Sequence, residues 1–207
     1  MNTLEKIVNH LYNWPSDINE HIPTLIKYGS ECPRITEMGV RWITSTWAFL
    51  GCSPNKLTSY DIEYPSLWDQ GSQHMSGDAV SRGYNKLEEV YDVASQFGID
   101  YTFIKANVLE VEIEETDLLF LDTWHSYKQL SAELKLHSHK ARKYIVFHDT
   151  TSYATVDETN YEILGPEWKA EGIGIWKAIE EFLETHPEWT LIERFYNNNG
   201  LTIIGRI

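Results

Sequence analysis

From residue 34 onward the chain alternates short apolar runs with helical stripes, and then the alternation stops. Residues 35–40, 57–62, 101–106, 118–122 and 144–147 read as strands, the runs being short, apolar and bounded by turn residues. Between them, residues 45–50, 87–97 and 130–136 carry helical spacing. Strand–helix–strand repetition predicts a parallel sheet with helices on both faces. A further helix over 175–183 ends before Pro187. Two more strand-like runs then follow, 189–195 and 201–207, joined only by Asn197-Asn198-Asn199-Gly200. That is a hairpin signal, so the last strand must run antiparallel to its predecessor. The expected fold is α/β, with a mostly parallel seven-stranded sheet finished by an antiparallel C-terminal hairpin.

The first thirty residues follow a different pattern. Leu4, Ile7, Val8 and Leu11 form a helical stripe ended by Trp14-Pro15. Ser16 reads as the N-cap of a second helix with Ile18, Ile22, Leu25 and Ile26, interrupted by Pro23 and closed near Gly29. The expected organisation is a helical segment over 1–30 packed on a domain over 31–207. A chain of 207 residues can bury one core well and is short for two. Its net charge of −14 repels phosphate backbones, which makes nucleic acid a poor partner. No apolar run reaches membrane-spanning length, and Glu5 and Lys6 disrupt any signal-peptide layout. Cys32 and Cys52 fit no zinc or redox spacing and read as free thiols of a reducing cytoplasm.

Chemistry concentrates where two apolar runs end. Asp122 closes Leu118-Leu119-Phe120-Leu121, and His148-Asp149 closes Tyr144-Ile145-Val146-Phe147. In open α/β sheets, ligands bind at the carboxyl edge of the strands. Two neighbouring strands ending this way bring two carboxylates and two imidazoles, counting His125, into one crevice. That set suits either a divalent metal or an acid/base pair. Carboxylates and water suit Mg2+ or Mn2+; a His ligand shifts the preference toward transition metals. Asp122, His125 and His148 are the candidate catalytic residues, and Asp122, His148 and Asp149 the candidate metal ligands. Trp124, Tyr127 and Trp168 are open either to stacking on an acceptor or to plain packing. His137 and His139 lie where they help end a helix, and His10, His21, His74 and His186 have no motif around them.

Upstream, Gly39 follows the first strand and permits close backbone approach to a ligand. Ser45 and Thr46 stand where they can cap the following helix. Asp61 ends the second strand about twenty residues after Gly39, the spacing of an acid that accepts a ribose diol. Asn107 follows the third strand and offers an amide edge.

The stretch Glu37-Met38-Gly39-Val40-Arg41-Trp42-Ile43-Thr44-Ser45-Thr46 resembles E-x-G-x-x-x-G-x-S-T, the first motif of class I S-adenosylmethionine-dependent methyltransferases in their small-molecule branch. Asp122-Thr123-Trp124-His125-Ser126-Tyr127 resembles its D-x-x-H-x-Y segment and His148-Asp149-Thr150 its H-D-T segment. The stretches Gly174-Ile175-Trp176-Lys177-Ala178-Ile179 and Asn197-Asn198-Asn199-Gly200-Leu201 are similar to the same branch, which includes sugar O-methyltransferases and cephalosporin-hydroxylase-like proteins. The resemblance implies a Rossmann-like methyltransferase fold and S-adenosylmethionine bound by Glu37, Gly39, Val40, Arg41, Ser45, Asp61 and Asn107. It also implies Mg2+ or another divalent metal at Asp122 and Asp149, and a small hydroxylated acceptor, sugars included. The later glycine of the first motif is here Ile43, followed by Thr44, both β-branched, so the loop is bulkier than the family's. Two alternatives therefore stay open: a metal-dependent, hydrolase-like enzyme on a scaffold that has lost the methyl donor, and a non-catalytic binding protein. A homo-oligomer is open as well.

Overall fold

The computed structural model describes residues 1–65, 83–158 and 172–207. Most of the aperiodic stretches 64–83 and 151–174, with Trp168 and His74, lies outside the described residues. The chain divides into two compact units, Met1–Val108 and Leu109–Ile207.

In the first unit, helix α1 (Thr3–Asn13) begins with a reciprocal cap: Asn2 accepts from the Glu5 backbone N–H, and Glu5 accepts from that of Asn2. Its stripe of Leu4, Ile7 and Leu11 is buried. Ser16 is not a helix N-cap as expected: its hydroxyl accepts from the Ile18 and Asn19 N–H groups ahead of a short 3-10 turn at Asn19–His21, whose N-cap is Ile18. Helix α2 (Ile22–Gly29) starts only after that turn. Pro23 falls in its first turn, where no intrahelical N–H is required. Both helices pack on α3 (Thr44–Gly51), whose Trp47, Ala48, Phe49 and Leu50 are fully buried. Strands β1 (Arg34–Met38), β2 (Lys56–Asp61) and β3 (Asp100–Lys105) pair in parallel, β2 in the middle. Helix α4 (Leu87–Gln96) precedes β3.

In the second unit, β4 (Thr116–Leu121) and β5 (Ala141–His148) run parallel, with Leu121 opposite Phe147. β7 (Leu201–Arg206) lies antiparallel to β5 on one side and to β6 (Trp189–Phe195) on the other. Leu118, Leu119, Phe120, Ile145, Val146, Phe147, Leu201, Ile203 and Ile204 are essentially inaccessible. Each such side chain stabilises the fold by roughly 1.5–3 kcal/mol, so the strand ends they carry are held firmly. Helix α5 (Tyr127–His137), capped by Ser126, packs on α6 (Ile175–Thr185), which buries Ile175, Ala178, Ile179 and Phe182. Of the seven strands, those of the first unit lie in the order β3-β2-β1, all parallel, and those of the second in the order β4-β5-β7-β6, parallel except for β7. Among the described residues no helix is long and apolar enough to cross a membrane.

Candidate functional site

Because Leu121 pairs with Phe147, the next residues, Asp122 just past β4 and His148 at the last position of β5, stand side by side at the strand ends. Asp149 adopts a left-handed backbone, φ 58°, which Asp tolerates better than most residues. Its carboxylate lies beside the imidazole of His148. Four polar atoms close a ring. His148 Nδ1 is 3.2 Å from Asp122 Oδ1 and 3.1 Å from Asp149 Oδ2. His125 Nε2 is 3.3 Å from Asp122 Oδ1 and 3.0 Å from Asp149 Oδ2. The ligand atoms of Asp122, His148 and Asp149 all lie within 4.8 Å of one another. Asp149 Oδ1 is buried and has no hydrogen-bond partner.

His125 is gripped from its other side. Its Nδ1 lies 2.9 Å from Glu158 Oε2, and its ring stacks on Tyr153 with planes 3° apart. The Glu158 N–H donates to the His125 carbonyl at 2.8 Å, and Trp124 Nε1 donates to the Glu158 carbonyl. Trp124 is thus buried packing, and Tyr127 donates its hydroxyl to Glu181 on α6. Sequence reading missed Glu158, which lies 33 residues beyond His125 in an aperiodic stretch.

The electrostatics follow from this crowding. Burial disfavours a charged His148, but the Asp122 carboxylate and hydrogen bonds to Asp122 and Asp149 prevail and raise its pKa to about 10. Burial also opposes charge on His125; hydrogen bonds to Asp122, Asp149 and Glu158 hold it well above the usual imidazole range. The two aspartates respond in kind: burial pushes them up, and the facing imidazoles hold them below the usual carboxylate range.

A second buried carboxyl stands close by. Glu133 lies on the buried stripe of α5 with Leu130, Leu134 and His137. Thr123 Oγ1 and Gln129 Nε2 donate to its Oε1 at 2.5 and 2.7 Å. Burial raises its pKa to about 7, against those two hydrogen bonds. Glu133, His125, His148, Thr123 and Trp124 line one small pocket.

In the first unit the loop after β1 is tied down from within. Glu37 is fully buried and accepts from the hydroxyls of Ser45, Thr46 and Ser59 at 2.6–2.8 Å. Ser45 and Thr46 therefore do not cap α3 as expected, because their hydroxyls are drawn to the Glu37 carboxylate; the N-cap is Ile43, which makes no side-chain cap bond. Asp61 Oδ2 accepts from the Val40 and Arg41 N–H groups at 2.8 and 3.0 Å, and Oδ1 from the Glu63 N–H at 3.1 Å. Gly39 takes φ 88° and donates its N–H to Tyr60. Ile43 stands where the family motif has a glycine and holds φ 65° with its side chain fully buried. Asn107 lies just past β3, half-buried.

No protein-family model matches the sequence, and no curated protein sequence matches it. Solved structures do. An O-methyltransferase from Bacillus cereus, solved with S-adenosylhomocysteine, superposes with a TM-score of 0.57 at 14% identity, over 99% of this chain and 90% of its own. A methyltransferase from Podospora anserina, also solved with S-adenosylhomocysteine, gives 0.56 at 14% identity, over 100% and 88%. The magnesium protoporphyrin IX methyltransferase of Synechocystis PCC 6803, solved with S-adenosylmethionine, gives 0.55 at 11% identity, over 100% and 85%. The chain has the fold of the class I S-adenosylmethionine-dependent methyltransferases.

Proposed function

We propose that this chain is an S-adenosylmethionine-dependent methyltransferase that acts on a small hydroxylated molecule with the help of a divalent metal. The observation that carries the reading is the ring of Asp122, His125, His148 and Asp149 at the ends of β4 and β5, on a methyltransferase fold. When bound, S-adenosylmethionine supplies a methyl group on a sulfonium, and a divalent ion supplies the Lewis acidity that lowers an acceptor hydroxyl's pKa.

The remaining work falls to the chain's own residues. Gly39, Val40 and Arg41 form the loop that would lie along the donor. A carboxylate offers about four acceptor sites, and backbone N–H groups fill three on Asp61. One site on Oδ1 is left for one ribose hydroxyl. Asn107 would take an adenine edge. Asp122, His148 and Asp149 would hold the metal, to which the unpartnered Asp149 Oδ1 is suited. His125 stands at a fork: as a free imidazole its Nε2 takes the acceptor's proton, and as a metal ligand it cannot. Methyl transfer needs in-line placement above all, so rigid strand ends serve it well. We assign the acceptor to hydroxylated compounds of the sugar class and the site of action to the cytoplasm, in keeping with two free thiols.

Calorimetric titration of the full chain with S-adenosylhomocysteine tests the donor half, with saturable binding expected. Absence of binding at millimolar ligand refutes it. A second reading has its own observation: Ile43 fills the glycine position with a buried side chain, and Asp61 is mostly engaged by backbone. A metal-dependent hydrolase-like enzyme would then bind metal and not S-adenosylhomocysteine.

A further inference from the structure

We propose that Arg194 binds an oxyanion, carboxylate or phosphate, carried by the acceptor, which makes the acceptor an acidic sugar. The proposal rests on the sugar-class acceptor of the functional reading and adds the charged group by which that acceptor is recognised.

The fold puts Arg194 at the edge where the acceptor would lie. β5 and β6 are both antiparallel to β7, so they run in the same direction. Arg194 is opposite Thr202 on β7, and Thr202 is opposite Phe147 on β5. Arg194 is therefore level with the residue before His148 and two strand spacings from it, about 10 Å. From there its side chain reaches past the end of β5. Nη2 donates to the Thr150 carbonyl at 3.1 Å, and Thr150 directly follows Asp149. A substituted monosaccharide is long enough to join the cluster to the guanidinium.

The guanidinium is held ready. Its Cζ lies 3.3 Å from the centre of the Trp176 ring and 5.0 Å from that of Tyr196. Trp176 is fixed in turn by its Nε1, which donates to Glu180 at 2.8 Å. Thr150 is fixed by the Thr202 hydroxyl, which donates to its own at 2.9 Å. Stacking covers the face of a guanidinium and leaves its rim, which matches a carboxylate or phosphate in a bidentate pair. Rigidity before binding lowers the ordering cost.

Its partners set this arginine apart. Acids outnumber Lys and Arg by 31 to 17, so a cation here seldom lacks a carboxylate. Arg41, Lys105, Lys140, Arg142 and Lys177 each have one within ion-pair distance. Arg194 has none among the described residues; its contacts are the Thr150 carbonyl and two aromatic rings. A guanidinium has five N–H donors. Here one reaches an acceptor, and Nε is buried without a partner. Packing alone explains this poorly, because an apolar side chain would cover Trp176 and leave no buried donor bare. Nη1 and the second N–H of Nη2 supply the parallel pair that an oxyanion takes.

The test titrates the full chain with glucose-6-phosphate, glucuronate and glucose. Calorimetry gives the affinities, and the Nε–H resonance of Arg194, shifted by the Trp176 ring, reports where the ligand sits. At least one charged sugar should move that resonance saturably and bind about 10–100-fold more tightly than glucose. The tighter of the two identifies the oxyanion. Arg194→Gln should erase the preference, and Arg206→Gln should leave it intact. Charged sugars that bind no more tightly than glucose would overturn the proposal. So would a preference that survives Arg194→Gln or is lost equally in Arg206→Gln. Titration of the unaltered chain needs no variant, so a misfolded substitution does not blunt it. S-adenosylhomocysteine titration of the same sample separates failure of this proposal from failure of the methyltransferase reading.

Discussion

Replacing Glu133 by Gln should make the protein more stable at neutral pH, by an amount that depends on pH in a defined way. Both donors to this carboxyl, Thr123 Oγ1 and Gln129 Nε2, bond to Oε1, which a glutamine retains. The substitution therefore removes ionisation and little else. In the folded chain burial raises the Glu133 pKa from 4.5 to about 7. Below pH 4.5 the carboxyl is protonated in both folded and unfolded chains and imposes no penalty. Between these two values the unfolded chain releases the proton while the folded chain retains it. Folding stability then falls by up to about 1.4 kcal/mol per pH unit and levels off above the folded pKa. The full span is roughly 3 kcal/mol. Urea unfolding of both proteins in chelator, from about pH 4 to about pH 8, should give a stability difference near zero at the acid end and roughly 3 kcal/mol in favour of E133Q at the basic end. Other titrating groups are common to the two chains and cancel in the difference. A difference independent of pH would refute the reasoning, because Glu133 would then carry the same charge folded and unfolded.

Asp61→Ala removes the acceptor for the Val40, Arg41 and Glu63 N–H groups; it should cost about 1–3 kcal/mol of stability and abolish S-adenosylhomocysteine binding, read by urea unfolding and calorimetry. Ile43→Gly relieves left-handed strain of about 1–2 kcal/mol but deletes a fully buried side chain normally worth about 2–5 kcal/mol. The net change should be a loss of about 1–3 kcal/mol, and a rise in melting temperature would show that strain dominates. Asp157→Ala leaves the Tyr127, Gly172 and Gly174 N–H groups without their acceptor. It should lower the melting temperature clearly, at about 1–3 kcal/mol for each buried donor left bare; an unchanged melting curve would mean that water replaces the carboxylate.

Much of the fold was legible because apolar periodicity is a direct readout of burial. The runs before Asp122 and His148 are strands, neighbours and parallel, and their register sends both acids off the sheet together. The C-terminal hairpin was legible for the same reason, with Asn197–Gly200 supplying the turn residues. What periodicity cannot carry is a partner far away in sequence. Glu158 sits in a stretch with no pattern and meets His125 only through the fold. Glu133 did leave a trace: a glutamate between Leu130 and Leu134 on an apolar stripe must be buried. The role of Glu37 was hidden because the hydroxyls of Ser45 and Thr46 satisfy a cap pattern equally well. Only coordinates reveal that they turn toward a carboxylate instead. Left-handed backbone at Ile43 was also hidden, since β-branched residues seldom adopt it.

The turn between β6 and β7 bears directly on the cluster. Gly200, at φ 96°, has the backbone and side chain of Thr151 where a Cβ would sit, closer than 3 Å. The Asn199 carbonyl accepts from the Thr151 and Ser152 N–H groups. The corner that follows His148-Asp149 is thus clamped by residues about fifty positions later in the chain. A one-residue insertion in that turn, or any side chain at 200, would withdraw the clamp and let Asp149 swing away from its neighbours. Engineering of this protein should leave that turn at its present length and seek its tolerance elsewhere.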